Sequence, residues 1–400
     1  MKRWWIAGLM FLTACPGESG PTFLGTPGEP QAARLDSNLF FMPTRIDGRD
    51  APHLLVDTGA PTVVVDPTLA GVDRGYQEAA SFEMLGLEYT DFGYVADTLI
   101  ASDMGDYVAG GVIGCTAFCT FDTSFDYRAE TVTLAGPGAP SDTIESHVID
   151  VSLEGGGLTR DPVTDTTFEV PTSRVLVSAT VEGRPLTLLV DSGASVTVLR
   201  AALVEELLAD GRPTLEATAS GMFGMDQSIL FRLRSMSVGG ADVPDVIAAR
   251  SDGFEGLLDG ISEETGTTID GALGGTALRE FHVTVAYDAE QLLLDRYPNR
   301  DHVRDEATRI GILIAQPTAT NVPVGQVIEG SDAEAQGVAV GDRIVAIDGV
   351  SVAGLRVGEV AYLLAGTKGA TRTVQFGCDG CGGFTGTRTI DVDYDVLELP

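Results

Sequence analysis

The hydrophobic and polar positions alternate over strand lengths along most of the chain, which predicts a mainly β protein. Thr44-Arg45-Ile46-Asp47-Gly48-Arg49 and Ala179-Thr180-Val181-Glu182-Gly183-Arg184 each place an acidic residue and a glycine between β-branched positions, the pattern of a hairpin turn. Each hairpin runs into apolar residues that end at an aspartate: Leu54-Leu55-Val56-Asp57 and Leu188-Leu189-Val190-Asp191. A small hydroxyl residue, a glycine and an alanine follow (Thr58-Gly59-Ala60 and Ser192-Gly193-Ala194), then β-branched runs over 62–65 and 195–199. A strand thus delivers a carboxylate to a tight turn, and a second strand leaves it. The hydroxyl can bond the turn backbone, and glycine permits close approach. Alternation returns over Phe125 to Leu134 and Phe281 to Leu294, whereas Val357 to Leu364 has helical spacing.

These elements recur in order. Ser81 to Leu87 echoes Ser220 to Met225, and Gly111-Val112-Ile113-Gly114 echoes Gly271-Ala272-Leu273-Gly274. The period exceeds that of any solenoid, so the chain contains a duplicated domain. The second copy is longer, with a Gly- and Glu-rich insertion over Asp252 to Asp270 placed either over a cleft or on the surface.

Two copies of Asp-Thr/Ser-Gly, each followed by a strand ending in two apolar residues and glycine, resemble the lobes of the retropepsin-like (pepsin-like) aspartic peptidases. The resemblance covers roughly residues 33 to 298, with lobe 1 at 33–140 and lobe 2 at 165–298. It implies a two-lobed acid-protease-like β-barrel pseudo-dimer in one chain. Asp57 and Asp191 would be the catalytic pair acting on a polypeptide substrate through a bound water, without a cofactor. Thr58, Gly59, Ser192 and Gly193 would support the two turns. The family's glycine-bearing flaps would correspond to Phe82–Leu87 and 222–225. A fold kept without turnover is the alternative for this unit.

The third region differs. Ser331 to Val338 and Gly341-Asp342-Arg343-Ile344-Val345-Ala346-Ile347-Asp348-Gly349 resemble a bacterial-type PDZ domain, a small α+β unit spanning 303–400. The resemblance makes Ile310, Gly311, Ile312 and Leu313 the loop that receives a protein C-terminus, with the peptide added as a strand. It places the groove-lining helix at Val357 to Leu364 and two last strands at Thr371 to Phe376 and Thr387 to Tyr394. Asp391, Asp393 and Asp395 lack EF-hand spacing and read as solvated.

The N-terminus is a targeting segment. Lys2 and Arg3 precede a short apolar run, Trp4 to Leu12, too short to span a membrane. Leu12-Thr13-Ala14-Cys15 resembles a bacterial lipobox, which implies a signal peptide at 1–14, lipidation of Cys15 and a membrane anchor through that lipid. Residues 15–32, rich in Pro, Gly, Ser and Thr, read as a tether. Pro16, not aspartate, follows the cysteine, so an exported lipoprotein of the cell envelope, on the outer membrane, is expected. Export predicts oxidised cysteines. Cys115–Cys119 and Cys378–Cys381 are the simplest pairs, with two other pairings open. The single CxxC has no second pair nearby to complete a zinc site, so no metal is expected.

The formal charge of -33 disfavours nucleic acid and anionic lipid as partners. The four histidines, His53, His147, His282 and His302, form no His-Glu-x-x-His, and no nucleophile elbow or phosphate loop occurs. The sequence therefore predicts a membrane-anchored aspartic endopeptidase with a PDZ domain for recognition. Its alternative is a non-catalytic peptide-binding envelope lipoprotein that works through the PDZ.

Overall fold

The computed structural model describes residues 21–98, 110–138, 146–221, 224–300, 302–303, 308–315, 317–355, 357–366, 369–377, 385–392, 394–395 and 397–399. Cys15, Cys378, Cys381 and the 1–14 leader lie outside the described residues, as does the 222–223 tip of the second flap candidate.

The two lobes are built by the same local steps. Strands Leu39–Ile46 and Arg49–Val56 pair across a turn in which Asp47 and Gly48 both have positive φ, and Arg174–Val181 and Arg184–Val190 pair across Glu182 and Gly183 in the same way. Two positive φ values match the right-handed twist of the flanking strands, which is why an acidic residue and glycine stand there. Strand Arg49–Val56 carries one residue more than Arg184–Val190, absorbed as a bulge between Met42 and Thr44 opposite Pro52. Proline has no N–H to give to the ladder, so the irregularity falls where it does least harm.

The strand that ends in glycine then inserts beside each aspartate-bearing strand. Leu55 and Val56 pair in parallel with Val112 and Ile113, and Leu189 and Val190 with Ala272 and Leu273. The strand leaving each turn flanks the other edge: Val64 faces Val112 and Val198 faces Ala272, both antiparallel. The crossing strands make a ψ-shaped arrangement in each lobe.

The lobes join through a six-stranded sheet to which both contribute. Its central pair is Asp122–Asp126 against Phe281–Ala286, with Ser124 opposite Thr284 and their hydroxyls 2.8 Å apart. One apolar core runs through both lobes, from Phe40, Phe82 and Tyr89 to Phe231, Phe281 and Leu294. The PDZ region has a separate core around Ile310, Ile312, Val360 and Phe376.

Four expectations change. The later part of the 15–32 tether is woven into the first lobe: Thr22–Leu24 pairs with residues 88–90, and Gln31–Ala32 with 131–132. The insertion after Asp252 is the helix Asp252–Thr265, packed through Leu258 and Ile261 on Leu176 and Leu189. Asp395 is not solvated but bonds Arg232 at 3.1 Å, with only 16% of its side chain exposed. The flap candidates are not equivalent to each other. Ile46 pairs with Phe82 and Val181 pairs with Met236, so the hairpin after Phe82 corresponds to the one after Met236. Its tip is packed in: Met84, Leu85 and Leu87 are buried, and Gly86 lies against Gln31. Hairpin Thr214–Gly221 and Gly224–Arg232 has no counterpart hairpin among the described residues of the first lobe. Its two strands stay paired as far as Gly221 and Gly224, past Ser228, the last residue paired with strand Ile247–Ser251.

Candidate active site

Asp57 and Asp191 sit at the ends of their strands with equivalent backbone bonds. Asp57 N–H donates to the Ile113 carbonyl at 3.0 Å, and Asp191 N–H to the Leu273 carbonyl at 3.1 Å. The next residues lock the two turns together reciprocally. Thr58 Oγ1 donates to the Val190 carbonyl at 2.8 Å and accepts from Ser192 N–H at 2.9 Å. Ser192 Oγ donates to the Val56 carbonyl at 2.9 Å and accepts from Thr58 N–H at 3.1 Å. Both side chains are buried, so all four bonds form away from competing water, where an unmade bond is costly.

This grip aims the carboxylates at each other. Gly59 N–H donates to Asp57 Oδ1 at 2.7 Å, and Gly193 N–H donates to Asp191 Oδ1 at 2.9 Å. The glycines are required by space. A Cβ at Gly193 would lie 2.4 Å from Asp57 Cγ, and one at Gly59 would lie 3.0 Å from Asp191 Cγ. The two carboxyls therefore face each other closely enough for each to bear on the other's charge.

Both carboxyls are buried and raised above the ordinary carboxylate range. For Asp57 burial is the cause, opposed by the Gly59 N–H, the bond with Asp191 and the charge of Arg174. Asp191 is raised further, by burial and then by the negative charge of Asp57 facing it. The pair therefore does not lose both protons together, and the second leaves only well above the ordinary carboxylate range.

The sequence reading missed three residues at this floor. Arg174, the first residue of its strand, is 8% exposed and donates from Nη1 to the Gly59 carbonyl in the other lobe. Its Nη2 meets Glu264 of helix Asp252–Thr265 at 3.2 Å, and its Nε is buried without a protein acceptor. Tyr127 and Tyr287 follow the two central strands of the shared sheet at equivalent positions, with buried hydroxyls that reach no protein partner. Burial raises both phenols, and Asp191 adds to the effect at Tyr127 as Asp57 does at Tyr287. The Asp-Tyr and Ala-Tyr pairs at 126–127 and 286–287 were the available sequence signal. Nothing local marked Arg174.

Cys115 and Cys119 are joined as a disulfide just after the first ψ-shaped loop, with Cα atoms 4.9 Å apart. In the PDZ region, Ile310 and Ile312 are buried in the core and Leu313 is half-buried. Strand Ile312–Ile314 ends the sheet path and lies beside helix Val357–Leu364. Gly311 has φ +75°, and a Cβ there would meet the Ser331 side chain at about 2 Å. Ser331 caps the helix Asp332–Ala335 by accepting from Glu334 N–H, so a bulky residue at 311 would disturb the fold as well as the loop. That substitution is no clean probe of peptide binding.

The PDZ region is tied to the second lobe. Leu397 packs with Ile247 beside Leu215 and Leu230, and Arg232 bonds Asp395. These residues form the base of the 214–232 hairpin.

Family models match at two places: aspartyl protease over residues 177–277 and PDZ domain over residues 324–376. Solved structures resemble parts of the chain. A photosystem II D1 C-terminal processing protease is 26% identical with a TM-score of 0.21, over 23% of this chain and 24% of that one. This chain therefore spans about a quarter of that protease. The PDZ domain of a carboxy-terminal protease from Vibrio cholerae, solved in complex with peptide, is 26% identical with a TM-score of 0.19, over 21% of this chain and 90% of that one. An aspartic proteinase from Irpex lacteus is 11% identical with a TM-score of 0.41, over 68% and 97%. No curated protein matches the chain. The chain carries an aspartyl protease domain followed by a PDZ domain.

Proposed function

We propose that this protein is an aspartic endopeptidase anchored to the bacterial envelope through a lipid on Cys15, with its PDZ domain recruiting substrates or partners by their C-termini. The observation that carries the catalytic reading is the reciprocal Thr58–Ser192 grip, which holds two buried carboxyls facing each other at one place. Two carboxylates roughly 3 Å apart cannot both ionise. Asp57 takes a proton from a water between the pair as the water oxygen attacks the peptide carbonyl carbon. Asp191 gives its proton to the carbonyl oxygen, leaving a neutral gem-diol. Collapse breaks the C–N bond and returns a proton to the leaving amine. No covalent intermediate and no cofactor are needed.

The edge position of strand Ile312–Ile314 beside a helix supports peptide binding by strand addition. The lipobox-like 12–15 segment supports the anchor and an outer-membrane location.

A proteome-derived peptide library digested with the intact chain across pH, with Asp57→Asn as control, tests the peptidase reading. Cleavage by the parent alone is expected. Equal product patterns from both would leave a peptide-binding lipoprotein acting through its PDZ as the better account. Free-acid peptides should bind better than C-terminally amidated ones. Mass spectrometry of the mature N-terminus should show an acylated Cys15, and cleavage elsewhere would remove the anchor.

A further inference from the structure

We propose that Arg174 is a positioning residue that divides the labour of the dyad: its guanidinium, set on the Gly59 carbonyl and balanced by Glu264, keeps the negative charge on Asp57 and the shared proton on Asp191. The proposal rests on the peptidase reading and assigns the two roles within it.

The argument starts from symmetry. The ψ-shaped loops, the aspartate turns and the hydroxyl grip are equivalent in the two lobes, and two equivalent carboxyls would hold their proton equally. A difference between the roles must come from something that is not duplicated. Arg174 is such a feature. Counting back from the paired hairpin turns, its position in the first lobe is held by Leu39, which carries no charge.

The geometry favours Asp57. Arg174 crosses from the second lobe to bond Gly59, the residue whose own N–H bonds Asp57 Oδ1. No such cation is bonded to Gly193 among the described residues. A cation beside a buried carboxylate favours its charged form, and Arg174 acts on Asp57 in that direction, against the larger effect of burial. Burial limits solvent screening, since Arg174 is 8% exposed.

The other ionisable groups do not replace it. Asp57 faces Asp191 from the opposite turn and Tyr287 from the shared sheet. Asp191 faces Asp57 and Tyr127, and Tyr127 is near Arg279. Glu264, on the helix Asp252–Thr265, faces Arg174 and offsets part of its charge. The helix Asp252–Thr265, which has no counterpart among the described residues of the first lobe, thus carries the counter-ion that tunes the arginine.

The test compares Arg174→Met, Arg174→Lys and Glu264→Gln in the full chain. Two readouts are followed: the pH dependence of kcat/KM, and the carboxyl carbon-13 titration of the pair, assigned by difference from Asp57→Asn. Arg174→Met should move the acidic limb to higher pH by about one unit or more. Glu264→Gln should move it to lower pH, and Arg174→Lys should keep it near the parent. A role limited to holding the lobes together would lower the rate at every pH with the limb in place, and would overturn the proposal. Shifts in the same direction for Arg174→Met and Glu264→Gln would also overturn it. If Arg174→Met does not fold, the opposite-signed shift of Glu264→Gln still decides. If the parent cleaves no peptide, the peptidase reading fails, while the carbon-13 titration still tests the charge assignment.

Discussion

The two lobes are nearly identical where the backbone must hold the aspartates, and differ one layer out. Cys115 and Gly275 donate from equivalent N–H groups to Ala60 and Ala194, yet one begins a disulfide-closed turn and the other does not. At the end of that turn Cys119 corresponds to Arg279, which reaches across the lobes to Asn38 at 3.2 Å. The second lobe also carries the 214–232 hairpin, the helix Asp252–Thr265 and Arg174. Duplication therefore preserved the parts whose geometry is set by strand pairing and close glycine approach. It left room to diverge in the layer around that floor.

The largest effect expected is one that ignores this divergence. If the pair acts as a unit, Asp57→Asn, Asp191→Asn and the double variant should all fall to the same residual rate, down by at least about 10⁴-fold. Robust turnover by either single variant, measured on a cleaved library peptide, would break the shared dyad.

Alanine at the turn glycines measures how symmetric the floor is. Gly193→Ala should lower kcat by about 10²-fold, because its Cβ would press on Asp57 Cγ. Gly59→Ala should lower it less, having 0.6 Å more room, from 3.0 Å against 2.4 Å. The reverse order would show that the turns relax differently.

Leu397→Ala should separate the lobes energetically. Leu397 is 1% exposed and packs on the second lobe alone, so its truncation should cost about 2–4 kcal/mol. Hydrogen exchange should rise in 228–232 and 247–251 and stay unchanged in 39–56. A uniform rise would mean that the two lobes unfold as one unit.

Thr58→Ala and Ser192→Ala should lower stability by similar amounts, about 1–3 kcal/mol each, because each leaves one buried N–H and one carbonyl without its partner. Denaturant midpoints would show it. A large difference between the two would mean that the grip is lopsided.

The smallest effect is a pH trend. Burial raises both dyad carboxyls, so the folded protein binds protons more tightly than the unfolded chain from about pH 4 upward. That contribution is full below the unfolded carboxyl range and is lost as pH rises through the folded one. Asp191→Asn removes the Asp191 share, so the variant should gain stability relative to the parent as pH rises above about 4. Melting temperatures that keep a constant difference over that range would contradict the raised carboxyls.

Legibility followed locality. The acidic-Gly turns, the aspartate strands and the two glycine-ended strands were readable because each is a short element with its own turn chemistry. The helix Asp252–Thr265 was also written in the chain, since Phe254, Leu257, Leu258 and Ile261 have helical spacing. Glycines at 253, 256 and 260 obscured that spacing, and the segment was read only as a Gly- and Glu-rich insertion. The tether was misread because Pro- and Gly-rich composition does not reveal a pairing with residues far along the chain. The flap alignment failed because a few similar residues cannot fix register, whereas the Ile46–Phe82 and Val181–Met236 pairs do.

The sequence by itself determined the duplicated lobes, the two aspartates with their hydroxyl and glycine neighbours, and the PDZ region, because these are encoded in contiguous residues. Only the tertiary structure decided that Thr58 and Ser192 exchange bonds across the lobes, that the two aspartates face each other, that Arg174 sits on Gly59, and that Leu397 closes onto the second lobe. Those outcomes depend on which distant surfaces meet, and burial then raises both carboxyls above the ordinary carboxylate range. A lone arginine before a strand reads as a solvated charge until the other lobe closes over it.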